Sequence, residues 1–265
     1  MNEDDLIRVR SIFISDVHLG TRGCNAEMLL DFLKHVEADT VFLVGDIVDG
    51  WRLRKSWYWP QAHNDVVQKL LRKVRKGTRI VYVPGNHDEF LRDYAGSGFG
   101  GIEIHEEFVH ETADGRRLLV LHGDKYDMVV ANIRWLALLG DRAYDLAITL
   151  NVAIGFVRRR LGLPYWSFSG WSKAKVKRAV NYIGAYERAV ADDARKANVD
   201  GVVCGHIHKA AVSDADGFLY LNCGDWVDSC TALIERSDGT VELVDWADPA
   251  TRASFATASP LKVAA

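Results

Sequence analysis

Short apolar runs alternate with amphipathic stretches through the first half of the chain, the hydrophobic pattern of layered α/β structure. Val9 to Ile14 is a β-branched and aromatic run that stops at Ser15-Asp16. Leu29, Phe32, Leu33 and Val36 follow at i, i+3, i+4 and i+7, one face of a helix. A second run, Val41 to Val44, stops at Gly45-Asp46. After Pro60, Val67, Leu70, Leu71 and Val74 predict another helix by the same spacing. Ile80 to Val83 stops at Pro84-Gly85-Asn86-His87-Asp88, Leu118 to Leu121 at His122-Gly123-Asp124, and Val202 to Cys204 at Gly205-His206-Ile207-His208. One strand that ends in a polar residue is an ordinary turn or helix cap. Five of them predict a shared site, because loops at the carboxyl ends of strands in layered α/β proteins converge on one edge.

The last third differs. Leu219 to Asn222, Ala232 to Arg236 and Val241 to Trp246 are short alternating runs, punctuated by Gly217 and by Asp238-Gly239, a hairpin signal. They predict antiparallel strands completing a second sheet. The small and polar tail, 249–265, is expected to be disordered. Residues 127–197 read as helix, so the expected organisation is one domain over 1–248 with a helical insert at about 127–197. Gly96, Gly98 and Gly101 satisfy G-x-G-x-x-G, but a dinucleotide fold needs a helix directly after it. The strand-like Ile102-Glu103-Ile104-His105 follows instead, and a loop near the polar strand ends is expected.

Composition narrows the class. The chain is 48% hydrophobic and 26% charged, ordinary for a globular protein. Its formal charge of −3 shows no global basic footprint, so no nucleic-acid partner is expected. Cys24, Cys204, Cys223 and Cys230 form no C-x-x-C pair and read as reduced core thiols. The acidic opening Met1-Asn2-Glu3-Asp4-Asp5 lacks the basic start and apolar run of a secretory signal, which predicts a cytoplasmic protein.

The polar strand ends hold Asp16, His18, Asp46, Asn86, His122, His206 and His208. Asp16 and His18 are two apart, as are His206 and His208, and on extended backbone that spacing points both side chains to one face. Mixed imidazole and carboxylate donors suit zinc, manganese or iron better than calcium or magnesium. Seven donors are too many for one tetrahedral ion and suit two ions sharing a carboxylate, the apparatus of in-line displacement at phosphorus. Of the nine histidines, His35, His63, His105 and His110 have no place in the pattern.

Asp16-x-His18, Gly45-Asp46-x-x-Asp49, Gly85-Asn86-His87-Asp88, His122-Gly123-Asp124 and Gly205-His206-x-His208 together resemble the five blocks of the calcineurin-like metallophosphoesterases, in that family's order. The resemblance implies a four-layer α/β/β/α sandwich that hydrolyses phosphoesters with two divalent ions, manganese first and iron or zinc as alternatives. It implies that Asp16, His18 and His208 bind one ion, that Asn86, His122 and His206 bind the other, and that Asp46 bridges them. His87 is implied as the catalytic proton donor or charge stabiliser. Asp49, Asp88 and Asp124 match positions that orient ligands.

The insert bears on substrate. Ala143 to Val157 is apolar nearly all round. From Arg158 to Arg178 there are seven basic residues and no acidic one, interleaved with Tyr165, Trp166, Phe168 and Trp171. Such a segment suits an amphiphile with a phosphate head or an anionic membrane surface. A helical hairpin with an apolar core side and a solvated basic side is the alternative. The block order, the insert and Cys223-Gly224-Asp225-Trp226 resemble the UDP-2,3-diacylglucosamine diphosphatase group, which implies a phosphorylated amphiphilic substrate in lipid A biosynthesis and peripheral contact with the inner face of the inner membrane. His87 departs from the best-known branch, which carries Arg there, and matches the sister branch with Gly-Asn-His-Asp. A phosphodiesterase or phosphatase acting on a soluble nucleotide is the alternative enzyme. A non-catalytic interaction scaffold is the alternative of another class. Oligomeric state is not legible.

Overall fold

The computed structural model describes residues 6–127 and 170–257. β1 (Ile7–Ile14) leads to α1 (Ala26–His35), and β2 (Val36–Val44) follows with no loop between. Val36, expected on the helix, opens the strand instead: its backbone is extended (φ −115°, ψ 123°) and it pairs with Ile7. A β-branched side chain favours that state. Next come α2 (Gly50–Lys55), α3 (Gln61–Arg75), β3 (Arg79–Val83), β4 (Gly98–Phe99), β5 (Ile102–Ile104), β6 (Phe108–Glu111) and β7 (Arg117–Val120). The remainder is α4 (Gly170–Lys196), β8 (Gly201–Cys204), β9 (Ala211–Ala215), β10 (Phe218–Asn222), β11 (Thr231–Glu235), β12 (Val241–Asp245) and α5 (Pro249–Thr257).

These strands form two sheets, in the orders β12-β11-β1-β2-β3-β5-β4 and β6-β7-β8-β10-β9. β1, β2, β3 and β5 run parallel, as do β7, β8 and β10, while the outer strands are antiparallel. β11 and β12 therefore extend the first sheet, not the second as the sequence pattern predicts. The reason lies in β11, all five residues of which are buried. Ala232 and Ile234 join the core on one side and Leu233 the core on the other, so the strand fits only a position covered on both faces. β10 does join the second sheet, but parallel to β8.

Alternation along β1 and β2 divides the interior in two. Ile12, Ile14, Val41 and Leu43 pack with Leu29, Phe32, Leu33, Val66 and Leu70 of the helices. Phe13, Phe42 and Val81 meet Leu118, Val120, Val203 and Leu221 between the sheets, with Phe13 and Phe42 stacked at 4.7 Å. On α3 the deepest positions are His63, Val66, Leu70 and Lys73, whereas Val67, Leu71 and Val74 are half-buried. The stripe is turned because Lys73 buries its stem and donates to the Val36 carbonyl (2.9 Å) and Glu37 (2.8 Å). Phe218 lies on the far face of the second sheet, where the Arg195 guanidinium covers it at 4.6 Å.

The tail is more ordered than expected, because Pro249–Thr257 is a helix. Phe255 packs edge-on against Trp246 at 5.5 Å, and that aromatic pair anchors it. Residues 258–265 lie outside the described residues. The G-x-G-x-x-G segment forms a hairpin, β4 antiparallel to β5, and opens no helix. The four cysteines carry free thiols. The chain divides into two compact units, Met1–Asp124 with Ala191–Ala265, and Lys125–Val190. In the second unit Tyr126 meets Tyr186 edge to face at 6.3 Å. The apolar stretch Ala143 to Val157 and the basic and aromatic residues from Arg158 to Ser169 lie outside the described residues. Among those described, no helix is long and apolar enough to cross a membrane.

Candidate metal centre

Each parallel strand that carries a polar end stops in a turn, and after β1, β2 and β8 the turn residues are held in an uncommon conformation. Asp16, His18, Asp46, His206 and His208 all have positive φ, between 52° and 70°. Left-handed backbone at non-glycine residues persists only where surrounding contacts over-determine it, and such positions concentrate at functional sites. Those contacts are present. Asp16 N donates to the Gly45 carbonyl (3.1 Å), His18 N to the Asp46 carbonyl (2.9 Å) and His206 N to Asp16 Oδ2 (2.9 Å). Two glycines permit the crowding: a Cβ on Gly205 would meet Asp16 Oδ2 at 2.4 Å, and one on Gly85 would meet Asp46 Oδ1 at 2.3 Å.

Asp16, His18 and His208 form one group, with one donor atom from each lying within 4.8 Å of the others. His208 Nε2 stands 3.2 Å from Asp16 Oδ1 and 3.3 Å from His18 Nε2. His18 Nδ1 lies 3.2 Å from Asp49 Oδ2, and a carboxylate can only accept, so the proton sits on Nδ1. In the neutral ring the Nε2 lone pair then faces the other donors. Two imidazole nitrogens this close beside a carboxylate oxygen are stable around a cation.

Asp46, His122 and His206 form the second group by the same criterion. His122 Nδ1 donates to the Val44 carbonyl at 2.9 Å, which fixes the tautomer and leaves Nε2 aimed at Asp46 Oδ2, 3.3 Å away. Asp16 Oδ1, Asn86 Oδ1 and His122 Nε2 are all buried without a hydrogen bond. Orphaned donors and acceptors in the interior are costly; a divalent ion at each group would satisfy them, Asp16 Oδ1 at the first and Asn86 Oδ1 and His122 Nε2 at the second. Without an ion, proton and charge compensate each other. Burial acts against the charge on His122, but the nearby Asp46 and Asp16 carboxylates outweigh it and lift the imidazole to about 10. Burial likewise opposes the charges on Asp16 and Asp46, and their histidine neighbours win, holding both carboxyls below the usual range.

His87 stands beside both groups without joining either. Its Nε2 is 4.0 Å from Asp46 Oδ2 and its Nδ1 is 3.1 Å from Asp49 Oδ2. Trp51 covers the ring at 4.3 Å, and His18 meets it edge-on at 4.7 Å. Asp49 thus sits between two imidazoles, and the trio His18, Asp49 and His87 is itself close enough to hold an ion. Both contacts run through Nδ1 atoms, but only that of His18 is a hydrogen bond, which orients that ring; His87 Nδ1 stays without one. Asp88 holds backbone: it accepts from Gly85 N (2.6 Å), Ile47 N (2.8 Å) and the Tyr82 hydroxyl (2.5 Å), fixing the turns that carry Asp46 and Asn86. Asp124 departs from its expected role of orienting a ligand. Both its oxygens accept from Arg92 at 2.8 Å, which ties the turn after β3 to the end of β7.

One part of the site was not anticipated. A cleft of about 600 Å³ opens beside His18, His87 and His208, lined by the loop after β1 and by α2 with the loop that follows it. The signal was present in Trp51 to Pro60, where three tryptophans, a tyrosine and three basic residues crowd ten positions.

This α/β fold, with imidazoles and carboxylates gathered at the carboxyl ends of five parallel strands, defines a metal-dependent phosphoesterase. Residues 9–210 match the family described as calcineurin-like phosphoesterase, and the chain belongs to that family. Among curated proteins it is similar to the UDP-2,3-diacylglucosamine hydrolase of Neisseria gonorrhoeae, 25% identical over 86% of this chain and 94% of the relative. It is also similar to the protein of the same name from Porphyromonas gingivalis, 27% identical over 83% of this chain and 92% of the relative. Among solved structures, a phosphoesterase from E. coli, YfcE, aligns with a TM-score of 0.42 at 14% identity, over 89% of this chain and 98% of that one.

Proposed function

We propose that the protein hydrolyses the pyrophosphate bond of a UDP-2,3-diacylglucosamine-type amphiphile. Asp16, His18 and His208 would hold one divalent ion and Asn86, His122 and His206 the other, with the Asp46 carboxylate shared between the two groups. The observation that carries this reading is the place of one oxygen. Asp46 Oδ2 lies 3.3 Å from His122 Nε2 in one group and 3.9 Å from His18 Nε2 in the other. When bound, two divalent ions supply Lewis acidity at phosphorus and lower the pKa of an attacking water. The chain's own residues do the rest. Asp49 and the Val44 carbonyl fix imidazole tautomers, Asp88 holds the backbone under Asp46, and His87 presents Nε2 beside the centre to protonate the departing oxygen.

The substrate class rests on relatives named UDP-2,3-diacylglucosamine hydrolase that span most of this chain, and on the apolar and basic insert sequence. Manganese as the native ion, a cytoplasmic location and peripheral contact with the inner membrane belong to the same proposal. A non-catalytic scaffold is disfavoured by the complete donor set. The test is product analysis with UDP-2,3-diacylglucosamine and Mn²⁺. Release of UMP and the acylated sugar phosphate is expected. Turnover of soluble nucleotides with no action on the acylated substrate would refute the substrate class.

A further inference from the structure

The cleft beside the centre carries positive charge that the chemistry at the scissile phosphate leaves unused. Arg22 comes from the loop after β1, and Arg52 and Lys55 come from α2. The two segments are tied together: Asp49 N donates to the Leu19 carbonyl at 2.8 Å, and Gly20 packs against Leu53. The Arg22 guanidinium lies over the Tyr58 ring at 4.6 Å, which places it on the cleft wall. All three cations are exposed, and none has an acidic partner at ion-pair distance among the described residues.

Asp49 is the one acidic residue of the lining, and it offers no compensation. It is buried, its Oδ1 caps α2 by accepting from Arg52 N at 2.8 Å, and its Oδ2 faces His18 and His87. Three exposed like charges lining one cleft give it a positive potential that attracts an anion. The same cleft is lined by His18, His87 and His208, at the edge of the proposed dinuclear centre. An anion held there would be continuous with a phosphate at the centre.

We infer that Arg22, Arg52 and Lys55 form the subsite of a second, non-scissile phosphate. The substrate class is then a pyrophosphate diester, not a simple phosphodiester or a monoester. The inference rests on the hydrolase reading above and assigns residues that determine its specificity. Removing one charge at contact distance from a partly solvated phosphate lowers binding by about five- to tenfold.

The test is the triple variant Arg22→Gln, Arg52→Gln, Lys55→Gln in the Mn²⁺-loaded protein. Two substrates are compared, UDP-2,3-diacylglucosamine with two phosphates and bis(p-nitrophenyl) phosphate with one. The expected result is a fall in kcat/KM of about 100-fold or more on the first and less than threefold on the second, with metal content unchanged. Equal loss on both, no loss on either, or a wild-type enzyme that cleaves only the simple diester overturns the inference. A wild type that cleaves neither would refute the hydrolase reading instead. The subsite is then decided by calorimetric titration of UDP against UMP: a preference for UDP that the triple variant erases supports it, and equal affinities in the wild type or an unchanged preference in the variant refutes it.

Discussion

Gly85→Ala isolates the packing of the centre from its chemistry, because it removes no donor. Gly85 is not in the left-handed region, so alanine meets no backbone strain there. Its Cβ would lie 2.3 Å from Asp46 Oδ1 and 2.7 Å from His122 Nε2. Ordinary van der Waals contact requires the carboxylate or the ring to move by about 1 Å. Neither is free to do so. Asp46 Oδ1 accepts from His87 N at 2.8 Å, and His122 Nδ1 is tied to the Val44 carbonyl at 2.9 Å. A displacement of about 1 Å at a reacting centre costs roughly 100-fold in rate, and overpacking a rigid site costs about 1–3 kcal/mol of stability. The assay is kcat/KM on bis(p-nitrophenyl) phosphate at saturating Mn²⁺, with metal per chain by plasma mass spectrometry and a thermal melt. Gly98→Ala is the control, since its Cβ would meet the Ile102 carbonyl oxygen at 3.4 Å in the exposed β4–β5 hairpin. A Gly85→Ala enzyme with wild-type activity and two ions per chain would show that Asp46 and His122 do not share one crowded site.

Asp46→Asn is expected to abolish turnover and lower metal occupancy while leaving the far-ultraviolet circular dichroism intact; near-normal activity with two ions would sink the bridging role. His87→Ala should lose about 100- to 10,000-fold in kcat and retain its metal, and a parallel collapse of metal content would make His87 a ligand. The proton on His122 stabilises the metal-free fold fully below 6.5, and that contribution is lost as pH rises through about 10. An ion at Nε2 must displace it, so apparent Mn²⁺ affinity should rise with pH across that window. Calorimetry in buffers of different ionisation enthalpy should then report proton release, and none being released would contradict the assignment. Replacing residues 130–185 by a Gly/Ser linker should raise KM for the acylated substrate by about two orders of magnitude, since each methylene left in water forfeits about 0.8 kcal/mol, and spare bis(p-nitrophenyl) phosphate. An unchanged KM would exclude a role for the insert in binding acyl chains.

The parallel strands were legible because their apolar runs are continuous and end abruptly at Asp, Asn or His. Even the crowding of the turns has a trace in sequence, in the glycines of Gly45-Asp46, Gly85-Asn86 and Gly205-His206, each of which leaves no room for a Cβ. What escaped was anything set by partners distant in the chain. Periodicity cannot say which sheet accepts Ala232-Leu233-Ile234, since a strand apolar on both faces only asks to be covered twice. Lys73 reads as a surface residue until its ammonium finds Val36 O and Glu37. Asp124 sits in a block with His122, yet its partner Arg92 is 32 positions away. The cleft was missed because Trp51 to Pro60 has neither helical nor strand periodicity, and its meaning depends on Arg22 arriving from another loop.

The turn that bears Asp16 is closed by residues from the far end of the chain. Trp226 N donates to the Asp16 carbonyl at 3.0 Å, Ser15 Oγ to the Gly224 carbonyl at 3.0 Å, and β11 then pairs along β1. Every donor of the centre, up to His208, is synthesised before the clamp on the first of them. The finished Asp16 turn therefore waits for residues 223–235 to fold back beside the amino-terminal strand. A reading frame interrupted just past His208 would still display all five blocks to a sequence survey, and its product would lack the Gly224 and Trp226 contacts that close the Asp16 turn.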